Sequence, residues 1–146
     1  MESKMATEVK ITVRGIQTDE VGEKTVTETV HRGEYFEKGD SLYLLYEETF
    51  EGETGTARNT LKWKNGVLEL TRKGIINARM VFEQGKTHMT DYASPYGLLQ
   101  LGVQTERVFY VERQEGFELH TEYVLTAQEK PVSRCKLAVK VCRKPA

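Results

Sequence analysis

The chain reads as an all-β protein: a single antiparallel up-and-down β-barrel, calycin-like or lipocalin-like in type, of about ten strands. Three observations predict it. Apolar residues recur at every second position along most of the chain. The runs are separated by Asn, Gly and Pro turn signals. No run has the 3.6-residue period of an amphipathic helix, so nothing is available to cover the second face of a flat sheet. A chain of 146 residues suits one hydrophobic core rather than two, and residues 1–146 are read as one domain.

The elements follow in order. Val9, Ile11 and Val13 alternate with Lys10, Thr12 and Arg14, and Val26 and Val30 sit among Thr25, Thr27, Glu28 and Thr29; both runs read as half-buried strands. Eight more follow at 42–50, 56–64, 67–73, 77–83, 86–92, 98–111, 117–126 and 133–141. Asn65-Gly66 between two alternating runs is a strong hairpin signal, because both residues tolerate positive φ. Gln84-Gly85-Lys86 and Gln114-Glu115-Gly116 mark further tight reversals. Strands joined this tightly must be antiparallel, since a parallel crossover needs a dozen residues or more. A meander with no helix buries its apolar face by closing on itself, which also removes exposed edges. In the last hairpin, Phe117, Leu119, Thr121, Tyr123 and Leu125 face Cys135, Leu137, Val139 and Val141 indoors. Outside, Glu122 is set opposite Lys136 and Glu118 opposite Lys140, with residues 126–132 as the loop.

Composition excludes several function classes. The formal charge is −1, from 21 Lys plus Arg and 22 Asp plus Glu, which suggests neither a polyanion binder nor an acidic tail protein. No stretch approaches the roughly 18 apolar residues of a membrane helix, and the opening residues lack the apolar core of a signal peptide, so a cytoplasmic location is expected. Cys135 and Cys142 stand roughly 23 Å apart along one extended run and on opposite faces, which predicts reduced thiols.

An ordered set of short motifs runs through the first two thirds: Gly33-Glu34-Tyr35, Tyr43-Leu44-Leu45-Tyr46-Glu47-Glu48, Leu70-Thr71-Arg72-Lys73-Gly74, Met80-Val81-Phe82, Tyr92-Ala93-Ser94-Pro95-Tyr96-Gly97 and Thr105. In these the chain resembles the bacterial YwiB-like family, a domain of unknown function placed among the calycins. The resemblance implies a lipocalin-like or fatty-acid-binding-protein-like barrel and carries no activity with it. The helix-turn-helix portal of the fatty-acid-binding proteins has no counterpart between the first two strands, which weakens any inference to lipid carriage.

Polar residues on inward faces are the candidates for function. Arg72 continues the face of Leu68 and Leu70, and Arg107 is set on the face of Leu99, Leu101, Val103 and Thr105, running on towards Phe109. Each guanidinium needs a carboxylate, water or a bound anion. Glu48, which shares its face with Leu42, Leu44 and Tyr46, is the natural internal partner for Arg72. Two readings stay open. In one, Arg72 and Glu48 satisfy each other and bind nothing. In the other, Arg72 and Arg107, with hydroxyls from Tyr46, Tyr92, Thr121 or Tyr123, form an anion clamp in an apolar cup. Tyr92 and Tyr96, around the corner expected at Ser94-Pro95-Tyr96-Gly97, either plug the barrel end or form its mouth.

Enzyme signals fail on geometry. Glu47 and Glu48 are neighbours in a strand and point to opposite faces, so they cannot act together across one bond. Gly85-Lys86-Thr87 imitates the end of a phosphate loop, but residue 80 is Met where that motif needs Gly. His31, His88 and His120 lie on different strands without metal-ligand spacing. The basic C-terminal set of Lys130, Arg134, Lys136, Lys140, Arg143 and Lys144 has no aromatic interleaved for stacking, and nucleic acid is not an expected partner. The expectation is therefore a non-enzymatic protein without metal or cofactor that takes a small anionic or amphipathic ligand indoors. The alternative is a filled barrel acting as an interaction module or homodimer through its outer face, with Trp63, Val108 and Tyr110 as outward candidates.

Overall fold

The computed structural model describes residues 6–143. It contains ten strands: β1 Thr7–Asp19, β2 Lys24–Lys38, β3 Ser41–Thr49, β4 Thr56–Lys64, β5 Val67–Gly74, β6 Ala78–Phe82, β7 Thr87–Ser94, β8 Gly97–Arg113, β9 Gly116–Ala127 and β10 Lys130–Cys142. All pair antiparallel in one sheet of order β6-β5-β4-β3-β2-β1-β10-β9-β8-β7. The meander closes through a ladder between its first and last strands, running from Lys10 opposite Cys142 to Asp19 opposite Ser133. The remaining seam lies between β6 and β7, where Asn77 and Ala93 exchange two backbone hydrogen bonds of 2.9 Å. The barrel is nearly closed.

Turn chemistry acts as expected. Asn65 and Gly66 adopt φ of 53° and 78°, the left-handed pair that joins β4 to β5. The β9–β10 connection is tighter than residues 126–132, because Gln128 and Glu129 both adopt positive φ and form a two-residue turn. A register shift between Pro131 and Ser133 then restores the inward face, and beyond it Lys136 stands opposite Glu122 and Lys140 opposite Glu118. The ion pairs go elsewhere: Glu122 meets Arg107 at 3.2 Å and Glu118 meets Arg113 at 3.0 Å, while His120 Nε2 is hydrogen-bonded to Glu118 at 2.8 Å.

One end of the lumen is filled with aromatic rings. Tyr35 and Tyr110 each lie 5.4 Å from Phe117, centroid to centroid, and Trp63 is 6.5 Å from Tyr110. The Arg143 guanidinium covers this plug, 5.5 Å from Tyr35 and 5.4 Å from Phe117. Further along, Phe82 and Tyr123 meet across the lumen at 4.8 Å. The residues expected outside are therefore indoors. Trp63 stands opposite Leu42 and Leu68, both buried, and two positions from Leu61, so strand alternation places it in the core. Val108 is buried and Tyr110 packs on the core because a bulge precedes them: Thr105 opposes Tyr123 but Arg107 opposes Glu122, leaving Glu106 as the extra residue. Past that bulge every side chain changes face.

β2 and β3 pair only from Glu34 opposite Leu45 to Lys38 opposite Ser41, and the strands diverge beyond Gly33. A Cβ on Gly33 would lie 2.5 Å from the Leu45 carbonyl oxygen and 2.6 Å from Ile11 Cδ1, so the close approach at the point where the ladder ends requires glycine. Val26 and Val30 beyond it, expected to be half-buried, are 53% and 59% exposed. Gly33→Ala is expected to lower stability by about 1–3 kcal/mol through overpacking, read as a lower urea midpoint at unchanged m-value.

Candidate functional site

The inward positions become polar toward the end opposite the aromatic plug. Antiparallel pairing stacks Tyr46, Asn59, Arg72 and Ala78 as one row across β3 to β6, with Glu48 one step further out. Arg72 Nε donates to Asn59 Oδ1 at 3.1 Å and Nη1 to the Tyr92 hydroxyl at 3.4 Å, while Nη2 forms a close ion pair with Glu48 Oε1. Asn59 Nδ2 donates to the same Glu48 oxygen at 3.0 Å. Phe50 lies over the guanidinium at 5.8 Å. The Arg72 and Glu48 side chains retain 16% and 22% exposure, so the pair sits at a mouth, not in a sealed core.

Tyr46 packs against His31 with the rings tilted and their centroids 4.6 Å apart, and burial together with the nearby Glu48 charge pushes its pKa up to about 12. Tyr123, deeper in, is raised by burial as well. Both remain neutral hydrogen-bond donors at physiological pH. The buried hydroxyls of Thr105 and Thr121 have no hydrogen-bond partner among the described residues. On the outside of the split between β2 and β3 lies a groove of about 1210 Å³, bordered by Arg32, Glu47, Arg58 and Lys73 and reaching Tyr46 and Asn59. The Arg72–Glu48 pair itself opens at the mouth and does not line this groove.

Not every expected site residue belongs here. Tyr46, Glu48, Arg72 and Tyr92 come together as the sequence implied, and Thr121 and Tyr123 face the same lumen. Arg107 does not. The Glu106 bulge turns it outward, where it is 59% exposed, pairs with Glu122 and lies 4.7 Å above the Phe109 ring. The anion clamp therefore loses its second cation. Tyr96 is 89% exposed on the β7–β8 turn, where its hydroxyl donates to Glu53 Oε2 at 3.1 Å; it neither plugs the barrel nor reaches the network. Asn59, at the centre of the network, went unnoticed in the sequence. Its signal was a polar residue in register with Ala57 and Leu61 on an apolar face.

A family model described as "Domain of unknown function (DUF1934)" matches residues 11–139. The chain belongs to this family. The crystal structure of the ywiB protein from Bacillus subtilis is 19% identical, with a TM-score of 0.86 over 98% of this chain and 96% of that one. No curated protein matches. At that identity the likeness establishes the fold, in agreement with the resemblance carried by the motifs, and assigns no chemistry.

Other features of this DUF1934 chain have structural employment. Among the described residues no group of His, Cys, Asp and Glu is arranged to hold a metal ion, and no helix is long and apolar enough to cross a membrane. Of the basic C-terminal set, Arg134 is held by Glu106 at 2.7 Å and Arg143 caps the aromatic plug; Lys144 lies outside the described residues. Cys135 is buried beside Ser133, its thiol 3.6 Å from the Ser133 hydroxyl, and burial pushes its pKa up.

Two measurements check the site. Arg72→Met leaves Glu48 without its cation and is expected to cost roughly 2 kcal/mol, discounted for partial exposure, whereas Arg72→Met with Glu48→Met costs no more than the worse single change. Denaturant titration of the four proteins gives this coupling. Iodoacetamide at pH 8 should leave Cys135 unmodified in the folded protein and alkylate it once urea unfolds the chain, read by peptide mass spectrometry.

Proposed function

We infer that the protein is a non-catalytic binding protein that receives a small amphipathic molecule at the polar mouth of the barrel. One observation carries this reading: a hydrogen-bonding network, charge-balanced and partly open to solvent, set at the mouth of a largely apolar lumen. A largely desolvated Arg–Glu pair generally adds little to stability beyond what apolar residues of similar volume supply, and this one still meets solvent at the mouth, which favours a role in recognition. The two unpartnered threonine hydroxyls further in support the same reading, since buried polar atoms normally find a partner.

The charge balance refines the expected ligand. With Arg107 outside, the inner site holds one guanidinium and one carboxylate in contact, which disfavours a simple anion and suits an uncharged or zwitterionic polar head. Leu99, 59% exposed, and Leu101 line the same face of β8 toward the mouth and offer apolar contact to a short tail. Medium-chain monoacylglycerol and the fatty acid of equal chain length separate the two chemistries in a thermal-unfolding assay. The monoacylglycerol is expected to stabilise the protein by about 2.7 kcal/mol at a hundredfold excess over its dissociation constant. Arg72→Met should remove that shift while remaining folded. Equal shifts in the variant, or stabilisation by the fatty acid alone, would sink this reading.

A further inference from the structure

The divergence at Gly33 leaves a second feature on the outside, independent of the lumen. From Lys24 to Arg32, β2 pairs with β1 on one side, and among the described residues no strand pairs with its other side. Its main-chain pattern follows from the β1–β2 hairpin, where Asp19 N donates to Glu23 O at 3.0 Å. In this unbroken antiparallel register, residues at odd positions of β2 bond to β1, and residues at even positions direct both N–H and C=O to the vacant side. Lys24, Val26, Glu28, Val30 and Arg32 therefore offer an intact half-ladder. Five of the nine residues are Val or Thr, and the segment contains none of the prolines or bulges by which proteins blunt an edge. Its far end opens into the groove beside Tyr46 and Arg58.

Charge selects the occupant. Along the vacant edge the side chains read positive, apolar, negative, apolar, positive, a pattern identical in both directions. Among the described residues Glu28 is ion-paired only with Arg14, at 3.7 Å, and Arg32 only with Glu8, at 3.2 Å; both pairs are solvent-exposed and weakly held. Laid against itself in full antiparallel register, this edge sets Lys24 against Arg32 twice and Glu28 against Glu28, so a second copy is repelled at three of five positions. The complementary strand is the sign-reversed one.

We propose that the Lys24–Arg32 edge binds an extended segment of another protein by strand addition, and that this segment reads acidic, apolar, basic, apolar, acidic at alternate positions. The full chain is titrated into a fluorescein-labelled peptide of sequence ETVTKTVTE. Saturable binding is expected, with the sign-reversed peptide KTVTETVTK about tenfold weaker or worse. Hydrogen exchange with bound peptide should slow the amides of Val26, Glu28 and Val30, whose N–H groups face the vacant side. Val30→Pro removes one of those donors without touching the β1 ladder and should weaken binding. Glu28→Lys should transfer the preference to ETVTETVTE, which keeps the test decisive if the proline variant misfolds. Equal affinity for both charge patterns, protection elsewhere on the barrel, or sedimentation showing that two copies of the chain occupy the edge would overturn the proposal.

Discussion

The ladder between β1 and β10 is the constraint on which the rest depends. Among the described residues the ten-stranded sheet has no helix to cover its apolar face, so the sheet covers itself. Each of the other ladders joins neighbours in sequence through a hairpin. The ladder from Lys10–Cys142 to Asp19–Ser133 joins residues more than a hundred positions apart and converts an open meander into a wall with an inside. Closing it costs chain entropy that local hairpins do not pay for one another, and the return is the burial of Val9, Ile11, Val139 and Val141 together with the faces opposite them.

Closure gives the molecule two unlike ends. At one, Tyr35, Trp63, Tyr110 and Phe117 fill the lumen beneath Arg143. At the other, the same inward alternation delivers Asn59, Arg72 and Glu48, which neutralise and hydrogen-bond one another without being sealed from water. The free edge of β2 has a related origin. β2 is 15 residues long and β3 only nine, and their ladder stops at the glycine where close approach of the Leu45 carbonyl excludes a side chain. The surplus length of β2 then has a neighbour on one side only.

Much of this architecture was legible because a strand's side chains repeat every two residues and turn residues reveal their backbone requirements. Asn65-Gly66 specified a hairpin through the conformations those two residues tolerate. The charges of the last hairpin specified a register that the ladder reproduces, with Lys136 opposite Glu122. The Arg72–Glu48 contact was legible for the same reason, since an arginine on an apolar face needs a partner and Glu48 lay on a neighbouring face with the right parity. Arg107 marks the limit of periodicity. An extra residue in one strand leaves no mark in the alternation, because Thr105 and Arg107 look equally inward until the pairing with β9 is known.

The sequence by itself determined the strand count, most of the turns and the antiparallel order, and it marked Arg72 as an inward cation with Glu48 in reach, because each of these is set by local periodicity or by the cost of an unpaired charge. Only the tertiary structure decided which end of the lumen is filled, that Arg107, Trp63, Val108 and Tyr110 exchange the faces expected of them, and that β2 outruns its neighbour. Those outcomes depend on how strands of unequal length slide, bulge and meet around a closed wall, and that is fixed by contacts between residues far apart in the chain.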